Sequence, residues 1–202
     1  MRMGSTAIPQ GNGKAPPFQN LEITTGYAAK MIVFTLDYRA PRASFTLSNA
    51  HGVYALFLKP GSSLPGIVPG EDGLLYIGKA SGRTGFKGRC HFNGKSASHS
   101  PRRSLAALLV DDLGLVPKGF PHPDGEYKTW GLTLPSERIL DTWMHGNLLL
   151  AIEPRVDAAL YEQELISLHQ PVLNLRDCPQ SEQHERVSAA RRRMADMVRG
   201  SV

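Results

Sequence analysis

The sequence predicts an α/β (α+β) fold, with a small, mainly antiparallel central sheet flanked by helices. Three observations carry that expectation. Residues 52–58 (Gly-Val-Tyr-Ala-Leu-Phe-Leu) and 74–78 (Leu-Leu-Tyr-Ile-Gly) are apolar, aromatic-containing runs separated by a loop dense in Pro and Gly, which most simply makes an antiparallel pair. Residues 147–153 (Asn-Leu-Leu-Leu-Ala-Ile-Glu) have the unbroken apolar character of a buried strand. Segments with helical spacing and recognisable start and stop signals fill most of the remaining chain.

The elements follow in order. Residues 1–19 are rich in Gly, Pro, Ser and Asn, and a flexible tail is expected over residues 1–29. Residues 30–37 and 43–47 have strand-like content, which suggests an N-terminal strand extension over residues 30–50. After the second core strand, Gly82 and Gly85 break the chain, and a short helix is expected from Phe86 toward Phe92. Ser100 and Pro101 open the next helix, with Ser at the N-cap and Pro at the first helical position; Leu105, Leu108, Leu109 and Leu113 form its apolar face. Residues 118–127, with Pro117, Pro121 and Pro123 in or beside them, read as a surface connection, and Leu132 to Leu134 as a strand end. A helix over residues 135–145 presents Ile139, Leu140 and Trp143, and another over residues 156–169 is stopped by Pro171. Residues 181–199 make a polar, basic helix. The main domain is therefore expected over residues 51–178, with a basic C-terminal helix over residues 179–202 and no internal repeat.

Composition bounds the class. The chain has 202 residues, 41% hydrophobic and 20% charged, the balance of an ordinary globular protein. Its two cysteines, Cys90 and Cys178, form no CxxC pair, which argues against a disulfide framework and fits a reducing cytosol. Cys90, His91 and His99 lie close in sequence but match no zinc spacing. No apolar run is long enough to span a bilayer and no secretory h-region is present, so a cytoplasmic protein without membrane contact is expected. The net charge of +5 is concentrated. Residues 73–110 contain no Asp or Glu but hold Lys79, Arg83, Lys87, Arg89, Lys95, Arg102 and Arg103. Such a stretch suits a polyanion, whose condensed counterions are released when its phosphates are neutralised. On charge alone a solvated basic face explains it equally well.

The chemistry-bearing residues are more specific. Gly52-Val53-Tyr54 is followed by Tyr76-Ile77-Gly78, then Lys79, then Arg89, then Glu162 on a helix, and finally Pro171-Val-Leu-Asn174. The offset from Glu162 to Asn174 is 174 − 162 = 12 residues. Each piece alone is ordinary strand or helix-end chemistry; the ordered set resembles the signature of the GIY-YIG nuclease superfamily, over about residues 52–174.

The resemblance implies a metal-dependent endonuclease that hydrolyses DNA phosphodiester bonds. Glu162 would hold Mg²⁺ or Mn²⁺, since one carboxylate suffices for a hard ion that keeps several waters. Arg89 would bind the scissile phosphate through its planar fork of donors, and Phe86, three residues earlier, favours it over Arg83 for that role. Tyr76 would be the general base. A free phenol has a pKa of about 10, so this role needs nearby positive charge, and Lys79, Arg89 and the metal would supply it. Tyr54 would hydrogen-bond the water or Tyr76, and Asn174 would position the site. Many members carry a His or Tyr four residues after the catalytic Arg; here that position is Asn93. His91 fills the role only if the helix is interrupted near Gly88 or Gly94, because residues two apart on a regular helix do not share a face. Arg83, Lys87, Lys95, Arg102 and Arg103 are expected to contact the DNA backbone. For the last two, the unfavourable placing of cations at a helix start suggests a functional reason. The Arg191 to Arg193 run reads as a solvated face, with non-specific DNA affinity as the alternative.

The alternative is a catalytically inactive nucleic-acid-binding module that keeps the fold, and Asn93 favours it. Relatives in the GIY-YIG superfamily that the sequence resembles serve in restriction, homing, repair and mobile elements. A homodimer is the expectation if both strands of a symmetric site are cut.

Overall fold

Seven consecutive buried residues make Gly52–Leu58 (β1) a strand covered on both faces, the natural centre of a sheet. In the computed structural model, which describes residues 38–89, 91–121, 127–176 and 178–200, β1 pairs antiparallel with Leu74–Ala80 (β2) on one side and with Leu148–Pro154 (β5) on the other. The expected tail, the expected strand over residues 30–37 and Cys90 lie outside the described residues.

Register sorts the side chains. Tyr54 stands opposite Gly78 on β2 and Ile152 on β5, and Leu56 stands opposite Tyr76 and Leu150. Because strand side chains alternate, Tyr54, Leu56, Tyr76 and Leu150 share one face. That face packs into a core with Leu105 and Leu109, Leu140 and Met144, and Val187, Met194 and Val198. These come from or adjoin Ser100–Leu108 (α1), Leu134–Asn147 (α2) and Glu182–Arg199 (α4). The opposite face is covered by Ala158–His169 (α3), which packs on β2 and β1 and buries Tyr161, Leu165 and Ile166. The architecture is an antiparallel three-stranded sheet with helices on both faces, an α+β fold as expected.

Several elements differ from expectation. Pro117–Pro121 (β3) and Tyr127–Leu132 (β4) form an antiparallel hairpin where the prolines suggested an irregular connection. Pro117 and Pro121 lie at the two ends of β3, where a missing N–H costs the ladder least. Instead of a strand, residues 43–47 begin in a short 3-10 turn at Arg42–Ser44, and the nearby sheet contact is one bridge between Ala40 and Leu150. The helix expected over residues 86–92 is two 3-10 turns, Gly85–Gly88 and His91–Asn93. On α2 it is Leu140 and Met144 that are fully buried, while Ile139 is exposed. His99, not Ser100, is the N-cap of α1. The basic C-terminal helix is part of the core: α4 packs on α1, β3 and β4 through its apolar stripe. Among the described residues no helix is long and apolar enough to cross a membrane.

Candidate active site

The site begins with two tyrosines and the glycine between them. Tyr54 and Tyr76 come from adjacent strands with ring centroids 6.0 Å apart. A Cβ on Gly78 would lie 2.5 Å from the Tyr54 hydroxyl and 2.7 Å from Cε1 of Tyr76. Only glycine leaves room for both rings, which is the local reason for Tyr-Ile-Gly on this strand. Burial raises the Tyr54 phenol well above its ordinary value, and the neighbouring Tyr76 adds to the rise. Burial also raises Tyr76, against a hydrogen bond from Tyr54 and the charges of Arg89 and Arg191, which lower it.

His91 completes this group. Its Nε2 lies 2.5 Å from the Tyr54 hydroxyl, and its ring packs 6.2 Å from Tyr76 and 5.0 Å from His99. Arg89, at φ −103° and ψ 41°, ends the first 3-10 turn, and His91 opens the second. That interruption brings His91 inward, while Asn93 remains exposed. Burial, with His99, Arg89 and Arg102 nearby, pushes the His91 pKa down to about 3. The ring is therefore neutral near pH 7. Among the described residues its Nδ1, which is buried, has no hydrogen-bond partner.

Arg102 holds the His91 segment in place. It is fully buried, and its Nη1 donates to the His91 carbonyl at 2.6 Å and to Asp141 Oδ1 at 2.5 Å. Its Nη2 donates to Glu137 Oε2 at 2.6 Å, and Glu137 also accepts from Ser96 N and Oγ at 2.7 and 2.9 Å. The expected backbone-phosphate contact for Arg102 is thus corrected: its side chain faces the α1–α2 interior, not the surface. Two α2 carboxylates offset the unfavourable placing of a cation at a helix start.

Among the described residues, the outer edge of β2 has no strand partner. The Ile77 N–H donates to Asn174 Oδ1 at 2.9 Å and Asn174 Nδ2 donates to the Ile77 carbonyl at 2.8 Å. Leu173 N donates to the Leu75 carbonyl at 2.9 Å. One residue pair further along, Lys79 N donates to Glu162 Oε1 at 2.9 Å, and Lys79 Nζ lies 3.2 Å from Oε2. Lys79 and Tyr76 are three apart on a strand and so point to opposite faces. The positive charges acting on Tyr76 are those of Arg89 and Arg191, not the expected Lys79.

Of these groups, Tyr76, Glu162 and Asn174 line one cavity. A polar hollow of about 430 Å³ is bounded by Tyr76, Glu162, Asn174, Arg103, Arg176 and Arg191, among others. A larger concavity, about 990 Å³, lies where β1 begins and β5 ends and holds none of the expected catalytic residues. Arg83, Lys87, Arg89 and Lys95 are exposed on the turns leading from β2. The charge of Arg89 is felt by Tyr54, Tyr76, His91 and His99, so it borders the tyrosine group. Arg103 is half-buried and donates to the Ala97 carbonyl and to Thr129 Oγ1 at 2.8 Å. Sequence reasoning missed His99, Arg176 and the inward aim of Arg191. For Arg191 a signal existed, because it shares a helical stripe with Val187, Met194 and Val198 (spacings of three and four).

A family model for the GIY-YIG catalytic domain matches residues 52–193, more than half of the chain. The chain belongs to the GIY-YIG family. The family is one of nucleases, and a nuclease domain implies a DNA substrate. The GIY-YIG match runs beyond Asn174, where the sequence resemblance ended, and takes in Arg176 and most of α4. Searches of curated proteins and of solved structures find no match to the chain.

Proposed function

We propose that this GIY-YIG protein is a divalent-metal-dependent endonuclease that hydrolyses phosphodiester bonds in DNA. Phosphodiester hydrolysis needs a proton acceptor for the attacking water, neutralisation of the phosphoryl oxygens and a stabilised leaving oxygen. The observation that carries the reading is that Tyr76 and Glu162 line the same polar cavity while the charge of Arg89 acts on Tyr76.

Tyr76 accepts the proton of the attacking water. Neutral His91, with its proton on Nε2, donates to the Tyr54 hydroxyl, which in turn donates to Tyr76. His91 approaches Tyr54 to 2.5 Å, and the hydrogen bond from Tyr54 acts on Tyr76 against the rise that burial imposes. Such a relay favours the phenolate over the phenol. Arg89 holds the scissile phosphate. Asn174 positions Tyr76 by fixing the edge of β2.

The donor set at Glu162 fits Mg²⁺ or Mn²⁺. Among the described residues no three His, Cys, Asp or Glu side chains converge on a metal position; Mg²⁺ is usually held by one or two carboxylates plus water and substrate phosphate. Bound at Glu162, the ion would supply charge neutralisation at the phosphate oxygens. The Lys79 ammonium now pairs with the carboxylate, a half-exposed contact of the kind worth about 0–1 kcal/mol.

The second reading, an inactive DNA-binding module, rests on that same ion pair. Its other support, Asn93, is weakened, because His91 approaches Tyr54 and Asn93 is exposed. Cleavage of supercoiled plasmid in Mg²⁺, Mn²⁺ or EDTA, beside Glu162→Ala, separates the two. Metal-dependent nicking lost in the variant is expected. Discrete bands would mark a sequence-specific, restriction-type enzyme, and a smear a repair-type or structure-guided one. Equal inertness of both proteins toward plasmid, branched and single-stranded DNA, with both still shifting DNA in a gel, would establish the binding module.

A further inference from the structure

Three arginines converge on the cavity that holds Tyr76 and Glu162: Arg103 from α1, Arg176 just after Asn174, and Arg191 from α4. Like charges gathered at one place repel, and desolvation adds to the cost. Ordinarily carboxylates relieve such a cluster. Here the oxygens on Arg103 are the Ala97 carbonyl and the Thr129 hydroxyl, and those on Arg191 are the carbonyl and hydroxyl of Ser100. All are neutral. Among the described residues, Nε of Arg103 and Nε of Arg191 are buried without a hydrogen-bond partner. Glu162, the one acid among the described residues that lines the cavity, is engaged by Lys79. Burial pulls Arg191 down to about 10, and the charges of Arg103 and Arg176 push it the same way.

The neighbours of Arg191 show what a relieved arginine looks like on the same helix. Arg192 pairs with Glu185 at 2.5 Å, and Arg193 with Asp111 at 2.5 and 2.8 Å. The run Arg191-Arg192-Arg193 is therefore divided. Two members are neutralised within the chain, while the third is held by neutral oxygens at the rim of the cavity.

We propose that Arg103, Arg176 and Arg191 form a second phosphate-binding subsite, distinct from Arg89, which takes a DNA phosphate other than the one being cleaved. An anion is the missing partner, and guanidinium forks match phosphate oxygens in geometry as well as charge. A phosphate seated there would fix the register of the strand relative to Tyr76 and Glu162. The identity of the substrate rests on the nuclease reading; the demand for an anion does not.

The test is binding of a fluorescent DNA duplex with hydroxyl ends to the full chain in EDTA, by anisotropy over a series of KCl concentrations. Each lost phosphate contact lowers the slope of log K against log salt by about 0.9. Arg191→Ala and Arg176→Ala are each expected to lower the slope by about that amount, and Arg192→Ala to leave it unchanged. Arg176 is exposed, so its variant decides the matter if Arg191→Ala fails to fold. An arginine that only staples α4 to α1 would change the melting temperature and leave the slope alone. A wild-type slope in either folded variant, on the hydroxyl-ended and the 5′-phosphorylated duplex alike, overturns the subsite. Repeating the series with 5′-phosphorylated ends separates the sources of phosphate: a slope change confined to that duplex assigns the subsite to a strand end, one present in both to the internal backbone. Failure of plasmid cleavage would sink the nuclease reading without touching these slopes.

Discussion

Asn174 and Ile77 exchange two hydrogen bonds across the open edge of β2, at 2.9 and 2.8 Å. A side-chain amide there does the work of a neighbouring strand, and it closes an edge that would otherwise be free to pair with another chain. Tyr76 and Gly78 flank Ile77, so the same bonds fix the floor of the candidate site.

Asn174→Ala leaves the peptide N–H and carbonyl of Ile77 unpaired. Each buried orphan costs about 1–3 kcal/mol, so a stability loss of about 2–6 kcal/mol is expected in urea unfolding. Nuclease activity should fall further than stability explains, since Tyr76 loses its fixed strand. Asn174→Asp keeps the acceptor but faces the Ile77 carbonyl with a second oxygen, and it should not rescue. An alanine variant as stable as the wild type would refute this role.

Arg102 makes a prediction opposite to that of a surface arginine. Removing it strands Glu137 and Asp141, and breaking a buried pair from one side costs about 3–5 kcal/mol. Arg102→Lys should recover little, because a single ammonium cannot reproduce the fork that joins two carboxylates and the His91 carbonyl. Adding Glu137→Gln to Arg102→Met should restore part of the loss, a coupling read as a double-mutant cycle in urea. A stable Arg102→Met protein with a reduced salt slope in DNA binding would instead return Arg102 to the DNA interface.

The contrast between these residues shows what was legible in the sequence. The three core strands, α3 and the order Tyr54, Tyr76, Arg89, Glu162, Asn174 were readable because each depends on local pattern or on motif spacing. Arg102 was not, since its partners Glu137 and Asp141 lie on another helix 35 and 39 residues away, and charge in a basic stretch looks the same whether solvated or buried. The hairpin of β3 and β4 was hidden by prolines whose positions at strand ends only pairing reveals. His91 depended on a break between two 3-10 turns, which the glycines at 88 and 94 raised as an alternative without deciding it. Arg191 was obscured by its neighbours, because three consecutive arginines on a helix point in three directions.

His91 gives a pH prediction. Its pKa falls from the ordinary 6.5 to about 3 in the folded protein, so between those values the unfolded chain binds more protons than the native one. Stability contributed by the neutral ring is complete above about pH 6.5 and is lost progressively as pH falls toward about 3. Its slope approaches about 1.4 kcal/mol per pH unit within that window. His91→Phe removes the titrating group while keeping a ring in the space. Chemical unfolding at pH 7, 6 and 5 should show wild type losing stability faster than the variant. Parallel curves would mean that His91 is not buried as a neutral ring.

Lys79 and Glu162 set the last expectation. The Lys79 ammonium lies 3.2 Å from Glu162 Oε2 and therefore competes with any cation for the carboxylate. The pair is partly exposed, so Lys79→Met should change stability by no more than about 1 kcal/mol. The Lys79 N–H to Glu162 Oε1 survives the substitution, because it belongs to the backbone. With the carboxylate still oriented and its competitor gone, the Mg²⁺ concentration giving half-maximal plasmid nicking should fall. A tenfold drop corresponds to about 1.4 kcal/mol of competition. The maximal rate reports a separate quantity. If it also falls, Lys79 contributes positive charge to the reaction as well as guarding the carboxylate; if it holds, the lysine acts as a counterion that the metal displaces. A rise in the Mg²⁺ requirement would contradict competition and make Lys79 a residue that helps Glu162 face the metal.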